Sequence, residues 1–274
     1  MKQKELELYI EEKQEKSIKK DSISRKISKK TLFEPENILI FDIGGPMAHF
    51  RNIQTNSSSL SYQFPPPTVL TGIIAAIIGY KRDTYYTDFA PDNIFLTVSI
   101  EKSIRKIMQT VNYKVYDEPG YTQIPVEILV PKDRDDFDII YRIYFSINNQ
   151  EIYDKLKEKL KKRITYYPIY LGISEFIANI NYIGEFKIEK INKKINEITL
   201  DSVINGIDLL NIEFTQGASF FIEFMRKSFS KNREPGQIIQ NVFTNNKRIR
   251  FKSTPTTIYK IIMKDKEIYI SRLI

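Results

Sequence analysis

Hydrophobic and polar residues follow two different periods along this chain. Four segments rich in β-branched and aromatic residues are typical of strands, and two segments have the apolar pattern of helices. The predicted strands are residues 38–43, 94–100, 139–147 and 182–191, and the predicted helices are residues 69–80 and 149–162. In chain order these elements are strand, helix, strand, strand, helix, strand, which is typical of the ferredoxin-like α+β fold shared by RNA-recognition domains.

The two predicted helices differ in their expected surroundings. Residues 69–80 are apolar almost throughout, as in a helix buried in a core, and Thr68 is predicted to be the N-cap. Residues 149–162 place aliphatic side chains at a spacing of four with Glu and Lys between them. This second helix is therefore predicted to lie on the surface.

One long insertion interrupts this order between the second and third strands. Residues 104–130 contain two extended arms around a turn sequence at 117–120, so they are predicted to form a long projecting hairpin. Short strand-like segments fill the last third of the chain. We therefore predict a basic N-terminal extension over residues 1–36, a ferredoxin-like domain over 37–195 and a small, mostly β domain over 196–274.

Composition excludes several classes of function. The 274 residues include no Cys and a single His, which leaves no disulfide framework or thiolate metal site and little basis for a Ser-His-Asp relay. With 42 Lys and Arg against 34 Asp and Glu, the formal net charge is +8, which favours a polyanionic partner. The charged N-terminus does not resemble a secretory signal, and the apolar segment 69–80 is shorter than the ~20 residues that span a bilayer. We expect a cytoplasmic protein without a membrane partner.

Cations and aromatic residues are interleaved in the last third of the chain. Between residues 226 and 252 there are eight cations and one acid, with three Phe residues among them. Cations neutralise phosphates and aromatic rings stack on unpaired bases, so this mixture favours binding of single-stranded RNA. Its candidate RNA-binding residues are Arg226, Arg248 and Arg250. The hydroxyl and amide side chains of residues 51–64 either hold a nucleic-acid backbone or form an ordinary polar loop.

Two other charged segments are less specific. The four Asp residues between 133 and 138 lack the Gly and the terminal Glu of a calcium loop, so they are predicted to form a solvated turn. The seven basic residues between 16 and 30 form either a solvated arm or a nucleic-acid-binding tail. We predict no metal site and no cofactor.

His49 is the single imidazole of the chain and lies in a loop after the first strand, two residues before Arg51. Three roles are open to it: contact with RNA or a partner, a structural hydrogen bond, or general base catalysis of RNA cleavage. Cleavage also needs a cation or acid near the phosphate and the leaving oxygen. One base without a second His is weak support for a nuclease, so we predict that the chain is not an enzyme.

Several segments resemble one known family, in the family's order. Residues 41–80 (FDIGGPMAHFRNIQTNSSSLSYQFPPPTVLTGIIAAIIGY) resemble the N-terminal signature of the CRISPR-associated family-five proteins of the type I-B kind. Three later segments are similar to further patterns of this family: QTVNYK at 109–114, YTQIPVEILV at 121–130, and YPIYLGISEF at 167–176. The resemblance covers residues 38–180 well and the last third of the chain only by its character.

This resemblance implies a fold of the RAMP superfamily and a role in antiviral defence. Members of the family are subunits of the Cascade surveillance complex and hold the 5′ handle of the CRISPR RNA (crRNA). The expected partners of this chain are therefore crRNA, the backbone and large subunits of Cascade and, through the complex, target DNA. The predicted hairpin at 104–130 corresponds to the thumb with which the family displaces a base.

The resemblance also suggests roles for individual residues. Arg51 is expected to pair with a phosphate, the loop hydroxyls to donate hydrogen bonds, His49 to contact a base, and the thumb arms to contact or separate nucleotides. The RNA-binding candidates outside the last third are His49, Arg51, Thr55, Ser57, Ser58, Ser59, Arg105, Asn112, Tyr113, Lys114 and Gln123. Gly44 and Pro67 replace an aromatic and a basic residue that the family often has, so neither is assigned a function.

Two other functions stay open. One branch of the family, of type I-C, resembles a metal-independent endoribonuclease that processes CRISPR repeat RNA with a Tyr, Lys and His cluster. The single His of this chain lies in the type I-B pattern, which favours the non-catalytic subunit. A general cellular RNA-binding protein is the third hypothesis, because the basic character of the chain supports it equally.

Overall fold

The computed structural model of the chain describes residues 32–191, 198–205, 212–213, 219–244, 249–251, 257–263 and 266–274. Its strands are β1 (Asn37–Gly45), β2 (Phe50–Arg51), β3 (Ser61–Tyr62), β4 (Ile94–Ile100), β5 (Ile104–Lys114), β6 (Tyr121–Pro131), β7 (Ile139–Ile147), β8 (Asn179–Ile191), β9 (Ile198–Leu200), β10 (Ile204–Asn205), β11 (Ile212–Glu213), β12 (Phe220–Arg226), β13 (Ile238–Thr244), β14 (Ile249–Phe251), β15 (Ile258–Met263) and β16 (Lys266–Ser271). Its helices are α1 (Pro67–Ile78) and α2 (Gln150–Lys162). The basic run between residues 16 and 30 and the candidate Arg248 lie outside the described residues.

A six-stranded antiparallel sheet is the framework of the fold, with the strand order β16-β15-β8-β1-β7-β4. Helix α1 connects β1 to β4 and helix α2 connects β7 to β8. The four strands β8-β1-β7-β4 therefore have the arrangement of a ferredoxin-like sheet, which confirms the predicted α+β fold. β15 and β16 extend this sheet, and the six other described strands of the last third, β9 to β14, form two three-stranded sheets. The domain boundary placed at residue 196 stays a prediction.

Both faces of the central sheet are buried. On one face, Phe41 of β1 packs in a cluster with Ile74 of α1 and Leu156 of α2, and all three are almost completely excluded from water. On the other face, Ile40 of β1 packs in a second cluster with Tyr144 of β7. A strand that is covered on both sides has a continuous apolar sequence instead of an alternating one, which is the pattern at residues 38–43.

The sheet curls, and the end of the chain covers its β4 edge. Phe95 of β4 and Tyr259 of β15 lie at opposite sides of the strand order, yet their ring centroids are 4.7 Å apart. Beyond β16, the backbone N–H of Leu273 donates to the carbonyl oxygen of Leu96 at 2.9 Å. This contact satisfies part of an edge that would otherwise expose unpaired backbone groups.

Helix α1 begins earlier than predicted, and the prediction that Thr68 is its N-cap was wrong. Pro66 is the N-cap and Pro67 is the first helical residue. Because Pro67 has no N–H and a fixed φ, it suits the first helical position and needs no side-chain cap. Helix α2 does have a side-chain cap, since the Asn149 side chain accepts a hydrogen bond from the backbone N–H of Ile152. In the part of the chain that the structure describes, neither helix is long and apolar enough to cross a membrane.

The insertion forms the predicted hairpin. β5 and β6 pair antiparallel from Ile104 opposite Pro131 to Lys114 opposite Tyr121. The turn between them is closed by a hydrogen bond from the N–H of Val115 to the carbonyl of Gly120 at 3.2 Å. Beyond its base the hairpin is a two-stranded ribbon, in which β5 and β6 pair with each other and with no other described strand.

We predict that Leu273→Ala destabilises the fold by about 2–5 kcal/mol, because Leu273 is fully buried where the chain end covers β4. The matched control is Ile262→Ala, since Ile262 is 51% exposed. We expect this control to change the free energy of unfolding by less than about 1 kcal/mol. Urea unfolding followed by circular dichroism measures both values. Equal stabilities of the two variants would contradict the packing described for the chain end.

Candidate nucleic-acid interface

The loop between β1 and β3 is bound along its backbone to the base of the β5–β6 hairpin. Ala48 and Leu129 exchange two backbone hydrogen bonds of 3.1 and 2.8 Å. At the other end of the loop, the N–H of Ser59 donates to the carbonyl of Pro125 at 2.8 Å, and the N–H of Glu127 donates to the carbonyl of Ser59 at 2.9 Å. We call residues 46–60 the seated loop. These four bonds hold both ends of the seated loop against β6.

His49 fastens the two ends of the seated loop to each other. Its Nδ1 lies 2.7 Å from the carbonyl oxygen of Glu127, and its Nε2 lies 3.0 Å from Oγ of Ser59. A carbonyl can only accept, so Nδ1 carries the hydrogen that is donated to Glu127, while Nε2 shares a hydrogen bond with the Ser59 hydroxyl. The ring is only 5% exposed. The geometry assigns His49 a structural role, and its contact with RNA stays a prediction.

A glycine allows the chain to pack closely behind His49. The backbone N–H of His49 donates to the carbonyl of Leu171 at 3.0 Å. The next residue, Gly172, has φ of +94°, and a Cβ there would lie 1.8 Å from the carbonyl oxygen of His49. Gly45 is also required by close packing, because a Cβ on it would lie 2.7 Å from the carbonyl oxygen of Ile177. Gly45 in the segment GGPMAHF and Gly172 in the segment YLGISEF therefore allow two backbone segments to pack more closely than a side chain would permit.

Three charged side chains lie close together at the base of the hairpin: Lys106 on β5, Glu127 on β6 and Glu223 on β12. We call them the base cluster. Nζ of Lys106 lies 3.0 Å from a carboxylate oxygen of Glu127 and donates to the carbonyl of Ser61 at 2.9 Å. The N–H of Ser61 donates to the same Glu127 oxygen at 2.8 Å. The base cluster therefore links β5 and β6 to β3 through side chains.

Glu223 on β12 is the member of the base cluster with an altered acidity. The backbone N–H of Gln63 donates to both of its carboxylate oxygens, at 3.1 and 3.3 Å. Burial raises the pKa of Glu223 to about 7, and the nearby charge of Glu127 also raises it. The hydrogen bond from Gln63 and the positive charge of Lys106 lower the pKa, but by less than burial raises it. Glu223 therefore changes its charge near neutral pH.

The outer half of the hairpin is exposed and rich in polar and aromatic side chains. Asn112 lies opposite Gln123 and Lys114 opposite Tyr121, so these four side chains share one face of the ribbon. Tyr113 lies on the other face and is 48% exposed. The predicted candidates of the thumb are thus divided between two faces. The outer half of the hairpin therefore presents amide, ammonium and phenol groups to solvent.

The remaining candidates lie at several places. Arg51 ends β2 and is exposed, and within the same seated loop Ser57 is exposed and Ser58 is half-buried. The Thr55 hydroxyl donates to the carbonyl of Asn52 at 3.0 Å, which stabilises the loop turn. Arg105 lies on the first hairpin arm, where its Nε donates to the carbonyl of Pro131 at 3.3 Å. All of these residues lie in the seated loop or at the base of the hairpin, and they stay predictions as RNA contacts.

The cations of the last third are more dispersed. Arg226 of β12 donates through Nη1 to the carbonyl of Gly236 at 3.1 Å. Arg250 is exposed on β14, which belongs to a different three-stranded sheet. The described structure therefore does not place these two candidates in one strand ladder with each other or with the hairpin.

Sequence reasoning missed the base cluster. Lys106 and Glu127 lie on the same face of the hairpin, as the pairs Lys106–Leu129 and Met108–Glu127 show. Alternate residues of a strand lie on the same face, so counting along both arms from the turn could have predicted that Lys106 and Glu127 are neighbours. Glu223 is separated by 160 residues from Gln63, its hydrogen-bond partner, and no local pattern indicates this contact.

Comparison with known proteins identifies what this fold resembles. The sequence model of the CRISPR-associated protein (Cas_Cas5) family matches residues 38–216. Among solved structures, a CRISPR protein from Archaeoglobus fulgidus has the same fold, with a TM-score of 0.53, 12% identity and coverage of 86% of this chain and 99% of its own. No curated protein matches the sequence significantly.

Two chains of larger assemblies are similar at lower scores. One comes from the type III-B Cmr-beta complex bound to cognate target RNA and AMPPnP, with a TM-score of 0.47, 11% identity and coverage of 79% of this chain and 86% of its own. The other comes from a CRISPR RNA-guided surveillance complex, with a TM-score of 0.43, 12% identity and coverage of 80% and 91%.

We predict that Gly172→Ala is much more destabilising than Gly120→Ala. Both glycines have positive φ, but a Cβ on Gly120 meets nothing within 4 Å, whereas a Cβ on Gly172 would overlap the His49 carbonyl. Gly120→Ala should cost about 1 kcal/mol, and Gly172→Ala should cost more than about 3 kcal/mol or prevent folding. Thermal unfolding compares them. If both variants have the same melting temperature, the proposed fit behind His49 is wrong.

We predict that Glu223 makes the fold less stable as the pH rises. The folded state keeps the proton to about pH 7, whereas the carboxyl of an unfolded chain loses it near 4.5. The stabilisation is complete below pH 4.5 and is lost as the pH rises through 7, a change of about 3 kcal/mol. Glu223→Gln should remove most of this decline.

The measurement is urea unfolding between pH 5 and about pH 8. The matched control is Glu118→Gln, because Glu118 is exposed in the hairpin turn. This control should keep the decline seen in the unchanged protein. A decline that persists in Glu223→Gln would show that another group causes it.

Proposed function

Because the chain belongs to the CRISPR-associated Cas5 family, we propose that it is the crRNA-binding subunit of a type I-B Cascade surveillance complex. In this proposal it holds the 5′ handle of the crRNA and helps to assemble the complex that targets foreign DNA. The resemblance of residues 41–80 to the type I-B signature supports the subtype.

One observation carries the proposal. The base of the hairpin is fixed by backbone bonds to the seated loop, while its outer half exposes amide, Lys and Tyr side chains. A rigid root with an exposed polar and aromatic tip suits a finger that enters a nucleic-acid strand. Single-stranded RNA offers phosphates to cations and unpaired bases to aromatic rings.

In this proposal the two faces of the hairpin contact different parts of the RNA. Asn112, Lys114 and Gln123, which share one face, bind the sugar–phosphate chain or base edges on that side. Tyr113, on the opposite face, stacks on the neighbouring base. Separation of adjacent bases follows, because the ribbon lies between them. Arg51 at the root pairs with a phosphate of the same strand.

We propose that the chain does not cleave RNA. His49 is buried, and both of its ring nitrogens are held by Glu127 and Ser59. A general base must reach the ribose 2′-OH, and this imidazole would first have to give up a hydrogen bond. Its proposed role is to position the seated loop. Site-specific, metal-independent cleavage of CRISPR repeat RNA by the purified chain, lost in His49→Ala, would overturn this proposal.

Purification of the tagged chain from its own cells tests the function directly. We expect other CRISPR subunits to co-purify, and sequencing of the bound RNA should give transcripts that begin with part of the repeat. A general RNA-binding protein would instead bring structured cellular RNA and no CRISPR subunits. That result would contradict the Cascade assignment.

We predict that binding of single-stranded RNA weakens with salt. If five phosphates are neutralised, the slope of log K against log salt is roughly −3.5, and Arg51→Gln makes it shallower by about 0.7. Lys155→Gln is the control, because Lys155 is an exposed cation on α2. Fluorescence anisotropy at several KCl concentrations measures the slopes. A slope near zero for the unchanged protein would contradict the role of charge, and an unchanged slope in Arg51→Gln would exclude Arg51.

A further inference from the structure

A cleft of about 280 Å³ lies at the root of the hairpin, between β5 and the strands β12 and β13. Four cations line it together with two stacked aromatic rings. They are Lys102, Arg105, Lys106, Lys132, Phe221 and Phe243. Ligand pockets for drug-sized molecules begin at about 300 Å³, so this volume suits a ligand of about the size of one nucleotide.

The cations of the cleft are only partly neutralised. Lys102 lies 2.6 Å from Asp136, and Lys106 lies 3.0 Å from Glu127. Arg105 and Lys132 are both exposed, and in the part of the chain that the structure describes neither forms an ion pair with a carboxylate. The cleft therefore offers two cations to an anion without breaking an existing ion pair.

The aromatic wall of the cleft is rigid. Phe221 and Phe243 stack with centroids 5.3 Å apart and ring planes within 18° of parallel. Behind them, Phe64 meets Phe243 edge-on at 5.2 Å. Phe243 is 3% exposed, whereas Phe221 is only partly buried and faces the cleft as its outer ring. A ring held in this way loses little conformational entropy when a base stacks on it.

We propose that this cleft holds one nucleotide of single-stranded RNA, with its phosphate on Arg105 and Lys132 and its base against Phe221. The inference rests on the proposed function, and it adds a subsite formed with β12 and β13 of the last third. Arg105 lies on the hairpin arm that leads to Asn112 and Tyr113, so the subsite continues the path of the strand. A protein partner would meet an aromatic surface too small for a stable interface.

The test uses the full chain and a fluorescein-labelled oligouridylate. The double variant Arg105→Gln with Lys132→Gln removes two cleft cations. The matched control, Lys155→Gln with Lys161→Gln, removes two exposed cations from α2. We expect the cleft variant to make the slope of log K against log salt shallower by about 1.4, and the control by less than about 0.3.

A second pair of variants tests the aromatic wall. Phe221→Ala should weaken binding of the oligouridylate about 5- to 100-fold, as expected for loss of one stacked base. Ile222→Ala is its control, because Ile222 is the next residue on β12 and is 47% exposed. We expect this control to bind as the unchanged protein does. Circular dichroism confirms that each variant is folded.

Failure of the inference can be distinguished from failure of the proposed function. If the unchanged protein binds RNA with a steep salt slope and the cleft variant has the same slope, the subsite is wrong and the proposed function stands. Equal slope changes in the cleft and control variants also overturn the subsite. If the unchanged protein and its co-purified complex carry no RNA, both proposals fall.

Discussion

The backbone contact between the seated loop and the base of the hairpin is the constraint on which the rest of the site depends. Ala48 with Leu129, and Ser59 with Glu127, fix two distant segments of the loop to one strand. His49 then joins the carbonyl of Glu127 to the hydroxyl of Ser59. A two-stranded hairpin alone is marginally stable in water, so this support determines where the projecting half lies.

This rigid root has a functional consequence. RNA binding has to overcome the entropy of ordering protein groups, and groups that are already held lose less of it. The outer hairpin, Arg51 and the cationic cleft all adjoin the same root, so in the proposed function one RNA strand contacts them in succession. Glu223 lies beneath this root and titrates near neutral pH, which couples the charge there to the stability of the fold.

Local patterns predicted much of the fold. β4 and β7 have the predicted bounds because each is a short apolar run between turn residues. The capping role of Thr68 was wrong because two prolines begin α1 without a side-chain cap. The bond between His49 and Glu127 spans 78 residues, and no periodicity indicates it. Most candidates chosen by residue type lie on the hairpin or in the seated loop. The base cluster and the curl of the sheet depend on long-range packing, which no local pattern indicates.

The most direct test of the central claim is to map RNA crosslinks on the chain within the complex purified from its own cells. Ultraviolet irradiation followed by mass spectrometry identifies the peptides that carry nucleotide adducts. We expect adducts in residues 104–130 and in the seated loop, on RNA that begins with the repeat-derived 5′ end. Adducts confined to other surfaces, such as α2, or complexes that carry no repeat-derived RNA, would contradict the account.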